Sequence, residues 1–190
     1  MRLSGEERIP ATREAVWAAL HDGALLGRCL PGCETVEPMG GERYRATAAV
    51  SVGPVKARFT GKLAIRDADP PHGYRIDGEG QGGAAGFARG AATVRLAEDG
   101  DHTLLRYEVD AAIGGRLAQI GSRLVDIAAR QMADAFFVNL ARELTAAAEA
   151  PAEAATPAGG KRPRRCRLCL ALALAALALA AIGLGWLLSG

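Results

Sequence analysis

The chain has 190 residues, 49% of them hydrophobic, and a formal net charge of +2 at pH 7. Residues 145–190 hold five of the 23 basic residues and two of the 21 acidic ones, so residues 1–144 are close to neutral. A neutral body argues against nucleic acid as a partner, and its length fits one domain with a hydrophobic core and leaves no room for a second.

Arg2 to Arg8 reads as a first strand. Pro10-Ala11-Thr12 then opens a short helix that sets Val16, Trp17 and Leu20 on one face. A second short helix covers Ala24 to Cys29. Cys29 and Cys33 have three residues between them, one too many for a thioredoxin-like redox pair, and are expected as free thiols lining a tight turn. A zinc site joining them to Cys166 and Cys169 would require the tail to fold back, with Cys169 already inside an apolar run.

From Tyr44 onward the period is two. Tyr44, Ala46, Ala48, Val50 and Val52 alternate with polar residues. Val55, Ala57, Phe59, Gly61, Leu63 and Ile65 repeat the pattern, followed by Tyr74 to Gly80, Phe87 to Leu96 and Leu104 to Ala111. These are antiparallel strands with one wet face, separated by turns at Gly40-Gly41, Gly53-Pro54, Pro70-Pro71, Gly82 to Gly86 and Asp99-Gly100. After Gly114-Gly115 the period becomes 3.6 through Leu117, Ile120, Leu124, Ile127, Ala128, Met132, Phe136, Leu140 and Leu144, which predicts one long amphipathic helix. The expected fold is α+β: a curved antiparallel sheet wrapped around that C-terminal helix, the helix-grip arrangement. It is followed by a linker over residues 145–167 and one transmembrane helix over 168–188.

Small residues line both walls of the expected interior, and they imply either a close approach of helix and sheet or space for a ligand. The candidate walls are Trp17, Tyr44, Ala46, Ala48, Phe59, Gly61, Leu63, Phe87, Tyr107, Leu117, Ile120, Gly121 and Leu124. The Tyr44 and Tyr107 hydroxyls are the polar groups expected there, so an occupant should be apolar with at most a carbonyl or hydroxyl. In a meander alternate turns share an end. Gly53, Pro54, Gly82, Gly83, Gly86, Gly114 and Gly115 therefore gather as a candidate mouth or docking surface, opposite the acidic turns.

No catalytic or metal-binding constellation emerges. His21, His72 and His102 sit at element ends and are expected on the surface, and Asp77, Glu79, Glu108 and Asp110 fall on the outward face. Gly78-Glu-Gly-Gln-Gly-Gly83 matches a bare dinucleotide pattern but runs on as a strand, so it carries no nucleotide site.

The tail is the most directive segment. Leu168 to Leu188 is 21 residues without a charge, about 31 Å as a helix against a hydrocarbon core of about 30 Å. Lys161, Arg162, Arg164, Arg165 and Arg167 precede it and Trp186 suits the far interface, which predicts a tail anchor with the domain on the cytoplasmic side. The N-terminus lacks the apolar run of a signal peptide.

Several blocks in order carry a family resemblance: Ile9-Pro-Ala with Val16-Trp17-Ala-Ala-Leu20, Cys29-Leu-Pro-Gly-Cys-Glu34, Val52-Gly-Pro-Val-Lys-Ala-Arg-Phe-Thr-Gly-Lys62, Gly78 to Gly90, and Leu117-Ala-Gln-Ile-Gly-Ser-Arg-Leu124. Over residues 1–144 the chain resembles the carbon monoxide dehydrogenase G-subunit (CoxG) family, a branch of the START-like, Bet v 1-like superfamily. The resemblance implies a noncatalytic accessory protein that brings a molybdenum carbon monoxide dehydrogenase, or a related molybdenum hydroxylase, to the membrane. Joined to the apolar walls and the anchor, it leads to the expectation of a bound quinone, menaquinone or ubiquinone, with its head near the glycine-rich mouth. The rival expectations are a general carrier or sensor of lipid-like molecules, an enzyme of cyclase or hydrolase type, and an adaptor with a solid core.

Overall fold

The computed structural model describes residues 1–149. The expected anchor, the basic run Lys161 to Arg167, Trp186, Cys166, Cys169 and linker residues 150–167 lie outside the described residues. Among the described helices none is long and apolar enough to cross a membrane.

The strands are β1 (Arg2–Ile9), β2 (Cys33–Pro38), β3 (Arg43–Val52), β4 (Val55–Asp69), β5 (Gly73–Gln81), β6 (Phe87–Asp99) and β7 (His102–Gly114). Helices α1 (Arg13–Ala19) and α2 (Gly23–Cys29) separate β1 from β2, and α3 (Arg116–Gln119) and α4 (Ser122–Glu149) close the chain. All pairings are antiparallel, and the sheet order β1-β7-β6-β5-β4-β3-β2 is a meander whose last strand takes β1 as its neighbour. The alternation legible in the sequence is the alternation observed. In β3, Tyr44, Ala46, Ala48, Val50 and Val52 are all buried, while the residues between them are exposed or half-buried.

Local chemistry explains where the short helices start. The Thr12 hydroxyl accepts from the Ala15 amide at 3.4 Å, and the Asp22 carboxylate accepts from Ala24 and Leu25 at 2.9 and 3.2 Å. These bonds satisfy amides that the first turn of a helix leaves without partners. Between α2 and β2 the chain reverses at Gly32, whose φ of +73° suits glycine and whose missing side chain lets the Ala49 carbonyl approach.

Two elements depart from expectation. Cys33–Pro38 is an edge strand although its sequence has no clean alternation; it pairs with β3 through a bulge near Cys33, so neighbouring strands rather than local pattern create it. The expected single C-terminal helix is broken at Gly121, which takes a φ of +97° between α3 and α4. At its far end α4 continues to Glu149 through Thr145-Ala-Ala-Ala-Glu, exposed residues that include three alanines, the strongest helix former.

α4 lies closest to α1, α2 and two flanking strands, β1 and β3, so it spans the trough of the sheet while the central strands bow away from it. The gap beneath is filled by large side chains: Tyr44, Phe59, Phe136 and Leu140 have at most 1% of their surface exposed. The inward small residues of β5 and β6 and the bulky ones of α4 are complementary, which is how a curved sheet grips a straight helix.

Candidate functional site

The space between sheet and α4 is apolar at its centre. Among the described residues Thr103 is the one buried polar or charged side chain apart from the tyrosines, and its hydroxyl donates to the Ala11 carbonyl at 2.7 Å. Asp77, Glu79, Glu108 and Asp110 are exposed or half-buried on the outward face, where Asp110 pairs with Arg2 at 3.2 Å and Asp77 with Arg75 at 3.1 Å. Glu7 differs: it shares the inward parity of Leu3 and Ile9 in β1 and is half-buried, and burial followed by the charge of Asp134 on α4 raises its carboxyl. Among the described residues no cluster of His, Cys, Asp and Glu is arranged to hold a metal. Cys29 is buried at the end of α2 with its thiol pushed up to about 11 by burial, and burial followed by Glu34 raises Cys33 as well. Both sulfurs are poor nucleophiles at neutral pH.

The expected wall residues divide into two groups. Tyr44, Ala46, Ala48, Phe59, Gly61, Leu63, Tyr107 and Leu117 are buried in the interior, and Trp17 and Ile120 are half-buried against it. Phe87, Gly121 and Leu124 are elsewhere. Ala92 faces inward, so the odd-numbered Phe87 must face outward by strand parity; it is 41% exposed and its ring lies over Gly114. Leu124 is 50% exposed because the break at Gly121 resets the helix phase that a continuous helix from Leu117 would have had. Gly121 itself has open space where a side chain would be, so it serves the bend and not the wall.

An internal void wide enough for water would leave exposed surface on the side chains around it. The interior residues carry almost none, so helix and sheet are packed on each other in this conformation. A hollow of about 1330 Å³ lies across the outward face of the sheet, lined by Ala64, Ala91 and Ala112 and by charges of both signs, Arg43, Lys62, Arg75 and Arg89 with Asp77, Glu79, Glu108 and Asp110.

The register brings Gly53-Pro54, Gly82 to Gly86 and Gly114-Gly115 to one end of the sheet, as the meander requires. Backbone contact is close there: a side chain on Gly86 would strike Gly114 and Gly115, and one on Gly82 would strike the ring of Phe59. The exposed apolar side chains Phe87, Leu124 and Ile127 belong to elements adjoining this end.

The opposite end is closed by α1. His21, expected on the surface, is instead half-buried and stacked on Trp17 with ring centroids 4.3 Å apart, and Tyr74 meets both rings edge-on at 5.6 Å. The His21 Nδ1 lies 2.7 Å from the Trp17 carbonyl, a contact in which the ring N–H donates. Tyr74 is 3% exposed and its hydroxyl has no hydrogen-bond partner among the described residues. Burial pushes that hydroxyl well above the usual tyrosine range, so it stays protonated. Sequence reasoning missed it because Tyr74 reads as one more inward strand residue.

A curved antiparallel sheet closed over a long C-terminal helix defines a helix-grip domain. The chain belongs to the carbon monoxide dehydrogenase G-subunit (CoxG) family, whose model matches residues 5–145. Among solved structures, a conserved protein from Geobacillus kaustophilus is 28% identical, with a TM-score of 0.74 over 77% of this chain and 97% of its own. A Thermus thermophilus protein is 19% identical, with a TM-score of 0.61 over 78% and 100% of the two chains. The Zhui aromatase/cyclase from Streptomyces is 16% identical, with a TM-score of 0.60 over 79% and 96%, and at that identity it attests the fold alone. Comparison with curated proteins finds no match.

Proposed function

We propose that this domain is a noncatalytic carrier or sensor of an apolar, lipid-like molecule held between sheet and α4. The observation that supports this most is the enclosed interior, which is largely apolar around a tyrosine hydroxyl without a partner: such a space offers binding through area removed from water. The glycine-rich end is then the route by which a ligand enters. Organic extraction of the full chain purified from its native membrane, followed by mass spectrometry, tests the reading. A stoichiometric apolar compound is expected; a ligand-free protein whose melting temperature no lipid-like compound raises overturns it.

Family membership favours a more specific second reading. In it the carrier serves a molybdenum carbon monoxide dehydrogenase or related hydroxylase, holds a quinone, and links the soluble enzyme to the respiratory chain. The uncharged run Leu168 to Leu188, with Lys161 to Arg167 before it, would tether the domain to the cytoplasmic face of the membrane through residues 145–167. Neighbouring genes encoding molybdopterin, FAD and iron-sulfur subunits are expected on this reading, and their absence leaves the general carrier.

A further inference from the structure

We infer that the Tyr74 hydroxyl is the polar anchor of the ligand site, donating to a carbonyl oxygen on an otherwise apolar molecule whose head lies at the α1 end and whose tail runs toward the glycine-rich end. This inference rests on the carrier reading above and gives it a direction, the reverse of head-at-the-mouth.

A buried hydroxyl without a partner is disfavoured, and native proteins rarely retain one that has no role. Phenylalanine in its place would fill the same space without the penalty. Tyr74 keeps a buried hydroxyl on a residue only 3% exposed, and its ring packs at a steep angle against Trp17 and His21. Thr103 shows the contrast, since its buried hydroxyl is satisfied by the Ala11 carbonyl. The Tyr107 hydroxyl differs too: it lies against Gly5 at the β1 side, in the field of Glu7, Asp134 and Arg130, and is the less enclosed of the two. What Tyr74 can do chemically is donate one hydrogen bond in a dry setting, beside rings that accept a flat group face-on or edge-on. An apolar molecule bearing a ketone or quinone carbonyl matches both features. Trp17 and His21 sit on α1 and just after it, so the head of a molecule that enters from the glycine-rich end comes to rest against this short helix.

The test uses the full chain with two probes of one shape, an octyl-substituted naphthoquinone and octylnaphthalene, measured by calorimetry against wild type, Tyr74→Phe and Tyr107→Phe. Wild type and Tyr107→Phe are expected to favour the quinone about tenfold, and Tyr74→Phe to lose that margin while keeping its affinity for the hydrocarbon. The bound carbonyl stretch should shift down in wild type and not in Tyr74→Phe, and Tyr74→Phe should melt at or above the wild-type temperature, which shows that it is folded. A margin that survives in Tyr74→Phe overturns the anchor while leaving the carrier reading intact. Failure of wild type to bind either probe overturns both.

Discussion

Gly82→Ala tests the packing at the glycine-rich end with a change of sign. Gly82 has a φ of −115°, which alanine adopts without left-handed strain, so on an open site the substitution should stabilise the domain by about 0.4–1 kcal/mol through the unfolded chain. A methyl group placed there meets the Phe59 ring, and Phe59 is fully buried, so the ring has no solvent to retreat into. Overpacking of this kind costs about 1–3 kcal/mol, which for a domain of this size lowers the melting temperature by roughly 2–4 °C per kcal/mol. In a Phe59→Leu background the obstacle is smaller and the normal gain of Gly→Ala should reappear, so the two substitutions couple in a double-mutant cycle by about 1–3 kcal/mol. Urea denaturation of the four proteins measures all terms. If Gly82→Ala alone is neutral or stabilising, Phe59 does not occupy the space beneath the turn and the closed interior is wrong.

Deleting residues 168–190 should move the protein from the membrane fraction to the soluble one and leave its melting temperature unchanged; a truncated chain that still sediments with membranes places the anchor elsewhere. Burial and then the charge of Asp134 raise the Glu7 carboxyl above its ordinary value, so its ionised form opposes folding. The favourable contribution of the neutral acid is present below the unfolded pKa and lost as pH rises through the folded one; Glu7→Gln should therefore raise the melting temperature at about pH 7 and leave it unchanged at about pH 3. Equal effects at both values would exclude a titration origin. Cys29, with its thiol at about 11, should resist iodoacetamide at neutral pH in the folded protein and react once unfolded, as peptide mass spectrometry would read.

The parts of this fold legible in the sequence are those where burial acts on a regular period. Strands β3 to β7 alternate because one face is wet, and the 3.6 period after Gly115 follows from a helix with one buried stripe. Three features were not legible, each for its own reason. β2 exists because β3 offers an edge, not because Glu34-Thr-Val-Glu37 prefers a strand. The break at Gly121 needs one residue at positive φ, and a glycine within a helical pattern is equally consistent with close packing. Phe87 stands apart from these three, since strand parity alone turns it to the face opposite that of Ala92. The Tyr74 hydroxyl is the deepest omission: that a polar atom lacks a partner is a property of everything around it, which no spacing along the chain records.

A packed interior and a carrier role are compatible only if opening is cheap at one place, and the architecture indicates where. Large side chains fill the gap under the middle of α4, and the Asn139 amide donates to the Cys29 carbonyl at 3.0 Å while Arg28 pairs with Glu143 at 2.6 Å, fastening the later turns of α4 to α2. The first turns have no such fastening among the described residues. They begin after a glycine with open space around it, and they expose Leu124 and Ile127. Local stability follows buried contact, so this end should exchange its amides fastest and lift first, pivoting at Gly121 while the α2 end stays in place. Gly121→Ala supplies the check. Its φ of +97° penalises any side chain, so the variant must straighten or strain the link between α3 and α4. Hydrogen exchange over residues 116–127 should change while residues 132–144 keep their protection; a uniform change along the helix would mean that α4 opens as one body and that the entrance lies elsewhere.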